Sequence, residues 1–224
     1  MAHALFVGEA LTLHPASPLP VGQLAALGTA FRRMWSPIRW ENANKEAWWR
    51  LTVDGIPLLG NSHVRGVRPA SCGCGLYPAG QPGGHSPRLH HFWACPVAQA
   101  VVDQLSITIF RPISRAEVWL AQTPEGVEQC VWDVVVLAAI TAMEQGRRFM
   151  AATLAGDPQE APGPSLLERA ITRVVVDFWG RLRGFAALGL PRKGWGQVGP
   201  RHPFLRGVAG ELQCARPERL EMGD

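Results

Sequence analysis

Cys72, Cys74, His90 and Cys95 fall within 24 residues of a stretch crowded with Gly and Pro, which has few other ways of holding a shape. Three thiols and an imidazole suit tetrahedral zinc, which binds soft thiolates and neutral imidazole tightly. A closed four-ligand site can staple a loop that would not fold alone, so the pattern predicts a structural metal, not a catalytic one. Cys95 also precedes Pro96 and a predicted helix, which would set its thiolate at the positive end of the helix dipole and ease its ionisation. His85 and His91 compete with His90 for the fourth position; His90 is preferred, and the sequence leaves the ring directions open.

The whole chain has 224 residues, enough for a real hydrophobic core, so size alone does not demand a metal. Its five cysteines form no regular framework, and residues 1–13 lack the basic start and cleavage site of a secretory signal. Both features predict an intracellular, reducing setting, nucleus or cytoplasm, where thiols bind metals more readily than they form disulfides. The longest apolar run, residues 131–143, contains Asp133 and is shorter than the roughly 20 residues of a bilayer span, so no membrane segment is expected.

Periodicity predicts mostly helices. After a Pro-rich lead-in, Leu24, Leu27, Phe31 and Trp35 recur at helical spacing with Arg32 and Arg33 on another face, and Ser36-Pro37 ends the helix. A second helix starts at Asn42 or Asn44 and stops before Asp54-Gly55-Ile56-Pro57. Pro96 opens a short helix carrying Val97, Val101 and Leu105 on one face. Ser114 with Glu117 reads as a capping box, and Ser165 with Glu168 as another that opens a helix reaching about Leu188. Between them a long apolar helix covers about residues 127–154 and must be mostly buried; its Asp133 and Glu144 read as solvent-facing or helix-end charges. Strand-like alternation is confined to residues 105–110.

The expected fold class is therefore mainly α: a small helical domain interrupted by the Cys/Cys/His/Cys knuckle loop, followed by two longer helices. The expected organisation is an irregular lead-in over 1–20, a helical segment over 21–110 with the knuckle loop at 60–96, a helical C-terminal region over 111–190 and an irregular tail over 191–224.

Net charge is only +4, so affinity for a polyanion must come from clustering. Residues 165–206 carry eight basic side chains against Glu168 and Asp177. Arg169, Arg173, Arg181, Arg183, Arg192 and Lys193 are the candidate nucleic-acid contacts, with Arg169, Arg173 and Arg181 on nearly one helix face. Trp93, Trp179 and Trp195 have base-stacking chemistry, but tryptophans at helical spacing are more often core; only Trp195, in the Gly194-Trp195-Gly196 loop, invites the other reading. No paired-aspartate polymerase motif, phosphate-binding loop, nucleophile elbow or His-Glu-x-x-His helix is present in the sequence, so an enzyme is disfavoured.

Cys72-Gly73-Cys74-Gly75, followed by His90-His91-Phe92-Trp93-Ala94-Cys95-Pro96 and a helix, resembles the reverse-transcriptase zinc-binding domain of non-LTR retrotransposons. Trp48-Trp49-Arg50-Leu51 and Gly55-Ile56-Pro57 extend the similarity upstream, over roughly residues 40–106. The chain departs from that family in having one residue between its first two cysteines, no acidic residue just before the histidine, and an inserted loop at 77–86. The resemblance implies a zinc-binding module beside a polymerase that contacts the element's RNA or target DNA without catalysing the reaction; no small-molecule substrate is expected. The alternative is a structural or protein-interaction remnant whose Trp-rich faces packed against a polymerase domain now absent. A hydrolase using His90 or His91 with Cys95 lacks an identifiable orienting partner.

Overall fold

The computed structural model describes residues 21–35, 38–52, 72–76, 89–157, 159, 161–188, 195 and 198–216, with only the backbone of 21–24 and 26–27. The lead-in, the Asp54-Pro57 turn, the inserted loop at 77–86 and His85, Arg192 and Lys193 lie outside the described residues.

The protein is mainly α. In chain order it comprises α1 (Val21–Trp35), α2 (Asn42–Thr52), a π-helical turn (His90–Ala94), α3 (Pro96–Ile109), α4 (Arg115–Trp119), α5 (Gln129–Gly156) and α6 (Pro164–Ala187). A hairpin of β1 (Leu205–Val208) and β2 (Glu211–Cys214) follows.

The apolar run over 131–143 becomes the axis of the fold. Every residue from 131 to 144 in α5 is buried, as expected of a helix that is hydrophobic all round and surrounded by others. α2, α3 and α6 pack against it, and the hairpin lies on α6. Gly146 marks the closest approach: a Cβ there would stand 2.7 Å from Val97 Cγ1 of α3 and 3.4 Å from Val174 Cγ2 of α6. Among the described residues no helix is long and apolar enough to cross a membrane.

Burying α5 also buries its charges, against the solvent-facing expectation. Asp133 is 2% exposed and takes a two-pronged contact from Arg33 of α1, Nε to Oδ2 at 2.9 Å and Nη2 to Oδ1 at 3.0 Å, with Gln129 Nε2 donating at 2.8 Å. Glu144, 4% exposed, accepts from Arg147 at 2.8 Å and Arg148 at 2.7 Å. A buried carboxylate without partners would be very costly, and this need turns Arg33 toward α5, not away with Arg32.

Local signals set several boundaries. Ser114 and Glu117 form the predicted reciprocal capping box, and Pro96 occupies the first turn of α3. The second predicted box is not formed: α6 starts two residues earlier, at Pro164 with Gly163 as cap in place of Ser165. Residues 105–109, read as strand-like, continue α3, because Leu105 is buried on the same face as Val97 and Val101. Packing of that face outweighs the β-branched preference of Ile107, Thr108 and Ile109. The tail, expected to be irregular, holds the antiparallel hairpin, with Leu205 opposite Cys214 and Val208 opposite Glu211.

Four of the nine tryptophans are interior. Trp48, Trp119, Trp132 and Trp179 are all at most 3% exposed, and each indole N–H donates, to Trp119 O, Phe92 O, Glu117 O and Gln104 Oε1 respectively. Trp35, Trp40, Trp49, Trp93 and Trp195 are half-buried.

Candidate metal centre

Cys72 and Cys74 sit on a short turn in which Gly75 N–H donates to Cys72 O at 3.0 Å and Gly75 has φ +75°. That left-handed backbone suits glycine. Gly73, between the thiols, is pressed onto the long helices: a Cβ would lie 2.8 Å from Met150 Cβ and 3.3 Å from Leu166 Cδ2. The one-residue spacing is thus filled by the one residue that lets the turn dock there.

The other two donors come from the π turn and its end. His90 opens the turn and Cys95 closes it, with Cys95 N–H donating to His90 O at 2.6 Å. Cys95 is then the cap of α3, and its carbonyl receives Gln99 N–H at 2.9 Å. The wide turn brings the imidazole and the thiol, five positions apart, to the same place.

The four donors converge: their ligand atoms all lie within 4.8 Å of one another and all four residues are buried. Cys72 Sγ is 3.9 Å from Cys95 Sγ, and Cys74 Sγ is 3.4 Å from His90 Nε2. Cys72, Cys74, His90 and Cys95 are positioned to hold a metal ion. His91 is not in this set; its Nδ1 lies 3.7 Å from Cys72 Sγ, and its buried Nε2 has no hydrogen-bond partner. Leu76 N–H points at Cys74 Sγ from 3.4 Å.

Hydrogen bonding favours the charged form at Cys74 over the other two thiols. Hydrogen bonds from Cys72 and Cys95 hold the Cys74 thiol far below the ordinary thiol range. The same contact with Cys74 pushes Cys72 up to about 12, and hydrogen bonds with Cys72 and Cys74, together with burial, push Cys95 up. Crowding beside Cys72 and Cys74 thus opposes the ionisation of Cys95 that the dipole of α3 favours. A bound dication would reverse this order and release the protons. Burial, aided by Arg147 and His90, pushes His91 down to about 3, so its ring is neutral.

The candidate nucleic-acid contacts do not form one stripe. Arg169 and Arg173 are exposed on α6, with the Arg173 guanidinium 4.9 Å from the centre of the Phe149 ring. Arg181 turns toward α2 instead, pairing with Asp177 at 2.7 Å and with Asn44 Oδ1. Arg183 is half-buried further along α6. Trp93 is half-buried against the core, Trp179 is buried, and Trp195 packs on Phe185 with ring centres 5.4 Å apart.

Sequence reasoning missed Gly73 as a docking residue and His91 as a neighbour of a ligand sulfur. A glycine between two cysteines is a legible signal for the first; for the second only the His90-His91 pair hints. No family model, curated protein or solved structure matches this chain.

Proposed function

We propose that the cluster holds zinc and that the chain is a zinc-stapled helical module which associates with RNA or DNA and catalyses no reaction itself. The observation that carries the zinc reading is the shape of the donor set. With zinc–sulfur bonds of about 2.3 Å and zinc–nitrogen bonds of about 2.0–2.1 Å, tetrahedral edges come to about 3.8 Å between sulfurs and about 3.6 Å between sulfur and nitrogen. One sulfur–sulfur separation here is 3.9 Å and one sulfur–nitrogen separation is 3.4 Å, and all four ligand atoms lie within 4.8 Å of one another.

Four protein donors leave no open position for water or substrate, which supports a structural role. Zinc in such a site supplies a cross-link. It would tie the Cys72-Cys74 turn and the π turn together, and through Gly73 and Cys95 to α5, α6 and α3. The nucleic-acid part of the reading is supported by the knuckle's resemblance to the reverse-transcriptase zinc-binding domain and by the basic excess over residues 165–206.

Purified protein is expected to carry about one zinc per chain and to bind single-stranded RNA or DNA with an affinity that falls as salt rises. Less than roughly 0.2 zinc per folded chain would overturn the metal reading. Absence of salt-sensitive binding by the zinc-loaded chain would overturn the nucleic-acid reading.

A further inference from the structure

His90 and Cys95 are five positions apart, and in an α-helix residues at that spacing point about 140° away from each other. They meet at the metal centre because the turn between them is π-helical, closed by the Cys95 N–H on His90 O five positions back. Such turns are rare and occur singly, so this one needs support from outside its own backbone.

Pro96 makes that need specific. In an α-helix Phe92 O would accept the N–H of position 96, and proline has none. The indole N–H of Trp119 stands in its place, donating to Phe92 O at 3.2 Å. The next carbonyl, Trp93 O, accepts Gln99 Nε2 from the start of α3. Two consecutive carbonyls of the turn that carries His90 and Cys95 are thus held by side chains.

Trp119 is itself fixed from several sides. The Ser114–Glu117 capping box starts α4 and sets Trp119 at its end. Trp119 O accepts the Trp48 indole N–H from α2 at 3.1 Å, and the Arg115 guanidinium lies 5.1 Å from the centre of the Trp119 ring. Trp119 and Phe92 are both fully buried, so no solvent stands ready to replace the indole at Phe92 O.

We propose that Trp119 is a positioning residue of the metal centre, with Gln99 beside it: their donors at Phe92 O and Trp93 O hold the π turn in the shape that aims His90 and Cys95 at one ion. This rests on the zinc reading above and adds to it a link from the centre to α4 and α2. Because coupling is reciprocal, the ion in turn steadies Trp119 and, through its carbonyl, Trp48.

The test is metal binding by the full-length chain. Zinc affinity is read by competition against a chromophoric chelator, and site geometry by the ligand-field bands of cobalt(II) bound in place of zinc. Trp119→Phe keeps an aromatic ring in the core and removes the N–H. It is expected to hold zinc roughly 10- to 100-fold more weakly, the range for groups that orient metal ligands, and to shift the cobalt bands. Trp179→Phe is the control: that indole is likewise buried and donates to Gln104 Oε1, further along α3 and away from the turn. Its zinc affinity should stay within about threefold of the parent, with unchanged cobalt bands, whatever the substitution costs in melting temperature. Gln99→Leu, at a half-buried site, should weaken zinc binding about 10-fold and move the same bands.

A positioning role is overturned if Trp119→Phe matches the parent in affinity and spectrum, or if it and Trp179→Phe weaken zinc equally and leave the bands alike. Should Trp119→Phe lose its cooperative melt, Gln99→Leu decides, and parent-like affinity and bands there overturn the role. A parent chain that binds neither zinc nor cobalt defeats the zinc reading, and the positioning role with it. A parent that binds both metals, with variants indifferent to the lost donors, defeats only the positioning role.

Discussion

Cys72 Sγ and Cys95 Sγ lie 3.9 Å apart although 23 positions separate them in the chain. One is carried by a glycine turn pressed onto α5 and α6, the other by the residue that caps α3, so the pair ties the knuckle to three helices at once. Whatever loosens either anchor should loosen the metal.

Gly73 is the tightest of these anchors. A methyl group there would meet Met150 Cβ at 2.8 Å, on a backbone-proximal atom that cannot swing aside. Gly73→Ala should cost about 1–3 kcal/mol of stability and weaken zinc retention against a chelator. Thermal melting and chelator competition check both; unchanged values in the two assays would show that the turn does not dock as described.

His90 and His91 should behave differently. His90→Ala removes a donor and should abolish stoichiometric zinc binding. His91→Phe keeps all four donors but removes the ring whose Nδ1 lies 3.7 Å from Cys72 Sγ. It should retain about one zinc per chain, with affinity lowered roughly 10- to 100-fold, as for other groups hydrogen-bonded to a metal ligand. Metal analysis showing the reverse order would make His91 the ligand.

His202 should give the hairpin a pH-dependent stability. Its buried Nδ1 accepts the backbone N–H groups of Phe204 at 3.2 Å and Leu205 at 3.3 Å, at the entrance to β1, and Nε2 faces Glu128 at 3.0 Å. Burial lowers its pKa although Glu128 opposes this. The unfolded chain therefore binds the proton more readily, so this contribution is complete above about pH 6.5 and is lost as pH falls toward the folded value. His202→Asn offers an acceptor that does not titrate, and the drop in unfolding free energy between about pH 7.5 and 5.5 should shrink. An identical drop in both proteins would rule His202 out as the source.

The hairpin turn is improvable. Ala209 at φ +49° and Gly210 at φ +82° form a two-residue loop with both central φ angles positive, where Asn-Gly is the favoured pair. Ala209→Asn should add about 1 kcal/mol, raising the melting temperature by about 2–4 °C. A lower melting temperature would contradict the turn geometry.

Much of the metal centre is legible in the sequence because its signal is chemical: soft donors crowded into a segment that lacks acidic residues and is rich in Gly and Pro. Helix ends are legible where a side chain makes the cap, as Ser114 and Glu117 do. They are not where backbone geometry decides, as at Gly163 and Pro164. Residues 105–109 mislead because local β preference says nothing of Leu105 facing a helical core. The hairpin hides because its strands are four residues each and its turn uses Ala209 in place of the expected Asn. The Arg33–Asp133 pair spans 100 positions, a distance no local pattern can reveal.

X-ray absorption at the zinc edge of the purified, full-length chain tests the central claim most directly. The account predicts one zinc site whose nearest shell holds three sulfurs at about 2.3 Å and one nitrogen at about 2.0–2.1 Å, with the sulfur count falling to two in Cys95→Ser. A shell of light atoms only, or a folded chain without zinc, would contradict it.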